Sequence, residues 1–362
     1  GQPIQGHSGI KKMPDGSFWL LTDNGAGSKA NSPDFMLYLN HYKVDFKTNK
    51  FTRLGTIFLH DPDKKVPFHI VTEGTKKRYL TGSDFDTESF QFADGALWVA
   101  DEFGPFLIKA DMNGKVLAVF DTLVDGKVVR SPDNPAVTIQ GVPTDSAKFQ
   151  VRRSKGYEGM AVSKDGSKLY ALLEGALWDE AAKAYEMVDG KQYLRVLEFD
   201  VKAGQWTGRH WKYVLEANNH AIGDFNMVDE STGLIIERDN GEGVASNACT
   251  DGRKPNCFHD LPKFKRIYKV EMTDANANGP VRKIGYVDLL NIADPNKISR
   301  KPLENGVLTF PFFTIENVDV IDANHIIVGN DNNLPFSSSR EPNKADDNEL
   351  IILNVGNFLT AR

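Results

Sequence analysis

One hairpin pattern recurs five times along the 362 residues, and it constrains the fold more than any other feature. Its clearest copy runs over 83–106. A segment carrying Glu88 leads to a tight Asp94-Gly95 turn, an apolar strand over 96–100, then Asp101-Glu102 and Phe103-Gly104-Pro105. Asp-Gly between apolar runs is a strong short-range hairpin signal. Ser8-Gly9-Ile10 leads likewise through Asp15-Gly16 to an apolar strand and Asp23-Asn24-Gly25. Glu158-Gly159-Met160 leads through Asp165-Gly166 to Glu174-Gly175. Asp224-Phe225-Asn226 leads through Thr232-Gly233 to Glu237-Arg238-Asp239-Asn240-Gly241. Glu316-Asn317-Val318 leads through Asp322-Ala323-Asn324 to Asn330-Asp331-Asn332-Asn333.

In each copy 13 to 16 residues separate the first polar residue from the second, and the copies start 66 to 92 residues apart. Self-similarity on this scale points to a repeat array such as a propeller. Further apolar stretches follow each hairpin, over 36–39 and 51–59, 107–110 and 116–120, 194–199 and 208–215, 266–270 and 281–289, and 350–353. The expectation is an all-β chain forming one domain over 1–362, a β-propeller of about five four-stranded blades. The units fall near 1–80, 81–150, 151–216, 217–308 and 309–362. The 92-residue interval between Asp224 and Glu316 leaves room for a sixth. The last unit shows three clear strands, so the N-terminal residues are expected to close the ring by supplying its fourth. The best short helix candidate covers 178–187, and Pro132 and Pro135 mark a connecting loop over 131–141, followed by Pro143. Alternating βαβ units are absent, which argues against a parallel α/β sheet.

Equivalent positions on the innermost strands of a propeller converge on one axis. Here they form a ring of Ser8, Glu88, Glu158, Asp224 and Glu316, with a second set of Asp23, Asp101, Glu102, Glu174, Asp239 and Asp331. So many carboxylates cannot all ionise side by side without a cation or raised pKa values. Oxygen donors suit hard cations, calcium first, with another divalent cation as the alternative. The metal candidates are Glu88, Asp101, Glu158, Glu174, Asp239, Glu316 and Asp331. An isolated Asp before Gly more often caps a turn; the set as a whole reads as a binding site.

The net charge of −6 offers no basic stripe for nucleic acid, and no apolar run reaches membrane-spanning length. Cys249 and Cys257 stand eight apart in a polar loop, a spacing that suits a disulfide and an oxidising compartment. The chain opens at Gly1, consistent with removal of a signal peptide. Gly6-His7-Ser8-Gly9 lacks the last glycine of a nucleophile elbow, since Ile10 stands there. His7, Lys109, His220, Arg238 and Arg340 are candidates for holding an anionic substrate.

At these motifs the chain resembles the phytase-like domain family, labelled esterase-like activity of phytase. The resemblance rests on His7-Ser8-Gly9, Asp86-Thr87-Glu88, 100–106, Gly156-Tyr157-Glu158-Gly159-Met160, Leu172-Leu173-Glu174, Ile236-Glu237-Arg238-Asp239, and Asn330-Asp331-Asn332-Asn333 with Pro335. It implies a β-propeller, an exported protein in the periplasm or outside the cell, and a phosphoester or ester hydrolase. A phytate site would need a basic rim, whereas these motifs are acidic, so a small phosphomonoester or phosphodiester is the expected substrate. Expected roles are Glu102 as general base, Arg238 as anion holder, and Glu158 at the reacting centre. The alternatives are a metal-dependent lactonase or carboxylester hydrolase, and a calcium-stabilised binding propeller without activity.

Overall fold

The computed structural model describes residues 2, 4–137, 149–250 and 256–362. Residues 138–141 and Pro143 of the expected connecting loop lie outside them. Five antiparallel sheets follow one another along the chain. The first pairs His7–Lys12, Phe18–Thr22, Tyr38–Asp45 and Lys50–Phe58 in that order. The second pairs Thr87–Ala93, Ala96–Asp101, Phe106–Ala110 and Val116–Asp121. The third is built on Tyr157–Val162, Lys168–Leu173, Lys191–Asp200 and Gln205–Val214, and the fourth on Ala221–Met227, Thr232–Arg238, Lys265–Glu271 and Arg282–Asp288. The fifth has Ile315–Val320, His325–Asn330 and Leu350–Asn354. Each sheet begins with its innermost strand. The five innermost strands touch one another in a closed cycle, the first beside the second and also beside the fifth. The molecule is a five-bladed propeller.

Local chemistry explains the hairpins. Asp94 and Gly95 both have positive φ, 50° and 67°, the conformation that joins two twisted strands with a two-residue loop. Between neighbouring blades lies one apolar core each. Leu21, Leu39 and Ile57 of the first blade meet Phe90, Leu97 and Val99 of the second. Trp98 and Leu107 of the second meet Met160 and Leu169 of the third. Leu172 and Val196 pack on Phe225 and Ile235, and Leu234 and Ile236 on Val318 and Ile326.

The junction of the first and fifth blades is different. Its apolar core is the smallest, with Ile10, Phe18, Leu20 and Tyr42 against Ile327. Hydrogen bonds supplement it. Asp319 accepts the Lys12 backbone N–H at 2.8 Å and faces the Lys11 ammonium at 3.6 Å. Asp224 of the fourth blade bridges the two, accepting the Ile10 N–H at 3.5 Å and the Val318 N–H at 3.1 Å. The expected strand exchange does not occur: the fifth sheet has three strands. Of the described residues before His7, Gly6 O accepts Asp23 N–H at 3.1 Å and Gln2 bonds the Met36 backbone, both in the first blade, while Gln5 O accepts from Asn348 Nδ2 at 3.3 Å. The ring therefore closes by packing and polar contacts between its terminal blades.

The helix expected over 178–187 is a small hairpin, Trp178–Asp179 paired with Ala184–Tyr185. Asp179 accepts the N–H groups of Ala181 and Ala182 at 2.8 and 3.1 Å, and Trp178 meets Tyr185 edge-on at 5.2 Å. A side-chain-capped turn and a cross-strand aromatic pair outweigh helix propensity in so short a segment. The long fourth interval holds the cysteine loop and a ribbon of Ile292–Ala293 with Val307–Leu308, and no sixth blade among the described residues. Cys249 and Cys257 are disulfide-bonded. No helix among the described residues is long and apolar enough to cross a membrane.

The polar seam gives the first prediction. Asp319→Ala leaves the Lys12 N–H unpaired and should cost about 1–3 kcal/mol in urea unfolding. Asp322→Ala, at an exposed turn, should cost clearly less. Equal losses would mean that the seam contributes nothing special to closure.

Candidate functional site

Every innermost strand carries a bulge at the same place. In the second, third and fifth blades one residue is inserted between ladder pairs: Glu88, Glu158 and Glu316. In the first and fourth blades the ladder skips two, Ser8-Gly9 and Gly223-Asp224. A bulge re-aims a side chain that the regular pleat would bury in the sheet face. The residue closing each second strand faces the bulge: Asp23, Glu102, Glu174, Arg238 and Asp331. Three of these are held alike, with Asp23, Glu102 and Glu174 donating backbone N–H to Gly6, Asp86 and Gly156. Asp86, two residues before Glu88, adds one more carboxylate.

Three triads result. Asp23, Asp86 and Glu88 each offer an oxygen within 4.8 Å of the others; so do Glu88, Glu158 and Glu316, and Glu102, Glu158 and Glu174. Ligand oxygens at about 2.4 Å from one calcium lie at most about 4.8 Å apart, so each triad matches a hard cation in donor type and spacing. Asp86 Oδ1 is buried without a hydrogen-bond partner, an acceptor left over for a ligand.

The electrostatics are strained. Burial, then neighbouring carboxylates, push Glu88 and Glu158 well above the usual range. Burial, then Asp23, does the same to Asp86, and burial, then Asp331, to Glu316. Glu102 is raised by burial, then by Asp86 and Glu174. Burial, then Asp23, brings Asp331 up to about 7. Two cations answer them. The Arg238 guanidinium lies 3.6 Å from Glu316, donates to Asn240 at 3.2 Å and stacks over Phe313, while its buried Nε has no partner. Lys155 donates to Glu174 at 2.7 Å.

Of the expected metal candidates, the structure brings together Glu88, Glu158, Glu174 and Glu316, with Glu102 among them. Asp331 sits beside them, accepting from Ser8 Oγ at 3.2 Å. Two candidates lie outside, each one residue out of register. Asp101 spends its carboxylate on the backbone N–H groups of Asp86, Gly104 and Phe106. Asp239 accepts from Lys263, Phe264 and Gly241 and pairs with Lys265 at 3.1 Å. Asp224 is likewise turned to the backbone, at Phe225 and Val318, and burial pushes it up to about 7.

Of the expected anion holders only Arg238 reaches the channel cluster. His7 packs edge-on against Tyr42, and burial lowers its pKa to about 4, so it is neutral. Lys109 lies over the Trp98 ring on a third strand. Arg340 forms a two-pronged bridge to Glu349 and bonds the Thr309 carbonyl. His220 pairs with Glu237 at 2.8 Å. These groups are engaged in packing and local pairing, which no spacing in the chain distinguishes from binding. The residue missed altogether is Lys155. Its signal is its place three residues before a bulge glutamate, visible only once the register is known.

The fold and site define a five-bladed propeller with a cluster of buried carboxylates where its innermost strands converge. The chain belongs to the phytase-like family, described as esterase-like activity of phytase, with residues 2–334 matched. An uncharacterized secreted protein of Arthroderma benhamiae is 32% identical over 118 residues, 30% of this chain and 22% of that protein, so the match spans about a fifth of the relative. Similar solved structures include a candidate 6-phosphogluconolactonase from Bacteroides fragilis NCTC 9343, with 11% identity, a TM-score of 0.31, and coverage of 95% of this chain and 86% of that one. The luciferin-regenerating enzyme gives 9%, 0.36, 98% and 93%, and the Dos1 propeller 10%, 0.34, 97% and 68%. At these values the solved structures bear on neither substrate nor mechanism.

Carboxyls whose folded pKa exceeds the unfolded value bind protons more tightly when folded. Their contribution is present below about pH 4 and lost as pH rises through the folded pKa, about 7 for Asp224 and Asp331. Metal-free protein should therefore lose stability between pH 5 and 8. Calcium at about 100 times its Kd should add about 2.7 kcal/mol, and at a fixed concentration should raise Tm more at pH 8 than at pH 5, because it competes with those protons. A calcium shift independent of pH would overturn this account.

Proposed function

We propose that the chain is an exported, calcium-dependent ester hydrolase that cleaves a small phosphomonoester or phosphodiester in its acidic channel. The observation that carries this reading is the Glu88–Glu158–Glu316 triad, three buried carboxylates with oxygens within 4.8 Å and one under-bonded arginine beside them. An oxygen-only donor set favours calcium, and another divalent cation would use the same ligands. Glu88, Glu158 and Glu316 would hold it, with Asp23 and Asp86 adjoining. Such a cation, when bound, polarises the ester and strengthens water as a nucleophile at neutral pH.

The other residues act around that centre. Arg238 has its buried Nε free to donate to an ester oxyanion, and its planar fork suits phosphate. Glu102 offers a carboxylate oxygen within 4.8 Å of one from Glu158, and burial with the neighbouring carboxylates raises its pKa, which favours a carboxyl that can pass a proton to or from water. Family membership supports the hydrolase class. The disulfide and the secreted relative support export.

A metal-dependent lactonase or carboxylester hydrolase is the second reading. Both channel cations are already paired, Arg238 with Glu316 and Lys155 with Glu174, and a neutral ester needs no free basic clamp.

Metal content by mass spectrometry, with hydrolysis of p-nitrophenyl phosphate, bis-p-nitrophenyl phosphate and p-nitrophenyl acetate before and after chelation, tests both. Calcium and chelator-sensitive phosphate release are expected. Glu158→Gln, which cuts two triads, should lower kcat/KM at least about 100-fold while the fold persists, in line with the loss of a group that acts in the transition state. Arg238→Ala should impair phosphate esters more than the acetate. Acetate turnover alone would favour the second reading. Calcium without any turnover would leave a calcium-stabilised binding propeller.

A further inference from the structure

The three triads are not equivalent. The Asp23–Asp86–Glu88 triad has no lysine or arginine bonded to it among the described residues, and it contains the unpartnered Asp86 Oδ1. The Glu88–Glu158–Glu316 triad has only Arg238, 3.6 Å from Glu316. The third triad, Glu102–Glu158–Glu174, already has a cation: the Lys155 ammonium donates to Glu174 Oε2 at 2.7 Å.

Lys155 is built into this position. Glu174 N–H donates to the Gly156 carbonyl at 2.7 Å, and Gly175 N–H to the Lys155 carbonyl at 3.0 Å. Two consecutive backbone bonds thus tie the lysine to the strand end that carries its partner. The side chain is 38% exposed and that of Glu174 5%. Burial works against its charge, yet Glu174, Glu102 and Glu158 more than offset this and its pKa is raised.

We propose that Lys155 is a resident cation that occupies the third triad, excludes divalent metal from it and confines metal to the Glu88 side of the channel. This rests on the reading of the channel as a metal site. A metal at the third triad would compete with the ammonium for the Glu174 carboxylate, and would stand next to a positive charge. The exclusion divides the chamber. Glu88 and Glu316 belong to the metal half. Glu102, with no ion bound to it, keeps its carboxyl for proton transfer. Glu158 lies on the boundary and belongs to both.

The test is calcium stoichiometry, measured by equilibrium dialysis and mass spectrometry on the intact chain. Lys155→Met should bind one more calcium per chain than the wild type, and Lys155→Arg, which keeps the charge, should not. Glu174→Gln should leave the wild-type number unchanged, because the third triad holds no metal; this arm stands even if Lys155→Met fails to fold. An unchanged or smaller number in Lys155→Met overturns the proposal, as does loss of an ion in Glu174→Gln. Unchanged stoichiometry with a raised KM for a phosphate ester would instead make Lys155 a second substrate-binding arm. A wild type that binds no calcium at all would refute the metal reading of the channel, which is a different failure.

Discussion

Like charges crowded into a desolvated space repel one another, and the centre of this propeller holds eight carboxylates against two cations. They come from four blades, at bulges and strand ends, with Asp86 alongside. The cost is met by the inter-blade cores, which fix five strand pairs around the axis whatever the axis contains. It is lowered by protons at acid pH, and any cation bound there would lower it at higher pH. Binding and stability are thus one electrostatic problem: whatever neutralises the channel also holds the ring together.

The blades solve a geometric problem at the same time. A regular antiparallel pleat would send Glu88, Glu158 and Glu316 to a sheet face, against the apolar core of the next blade. One inserted residue turns each toward the axis. The same insertion lets the preceding residue, Thr87, Tyr157 or Ile315, remain in ladder register and buried. Core and site are therefore adjacent along the strand without sharing a side chain.

This device also explains what could be read from the chain. Asp-Gly turns and apolar strands are local signals, so the hairpins, their number and the all-β class were legible, as was the ring formed by Glu88, Glu158 and Glu316. Register was not. In the fourth blade two residues are skipped, so counting along the chain placed Asp224 and Asp239 where the structure has Gly223 and Arg238. Asp101 was misplaced in the same way, by one residue before Glu102. The 178–187 segment read as helical because its Ala and Glu residues favour helix, whereas Asp179 and the Trp178–Tyr185 pair decide its shape through contacts that propensity does not contain. Lys155 has no counterpart in the other copies, so repetition could not reveal it.

The fourth blade is the exception on which the asymmetry of the site depends. At its bulge Gly223 replaces the glutamate of three other blades, and a Cβ there would lie 2.2 Å from the Ile315 carbonyl. The two inner strands approach so closely that no carboxylate can enter from this side. At the facing position Arg238 replaces the acid of the other four blades. One sector of the ring therefore loses negative charge twice, once by deletion and once by reversal. Lys155 neutralises a second sector, at the third blade. What remains without a bonded lysine or arginine among the described residues is Asp23, Asp86 and Glu88, with Arg238 at Glu316 and Lys155 at Glu174 beyond them. A ring built from five like units thereby acquires a single acidic face.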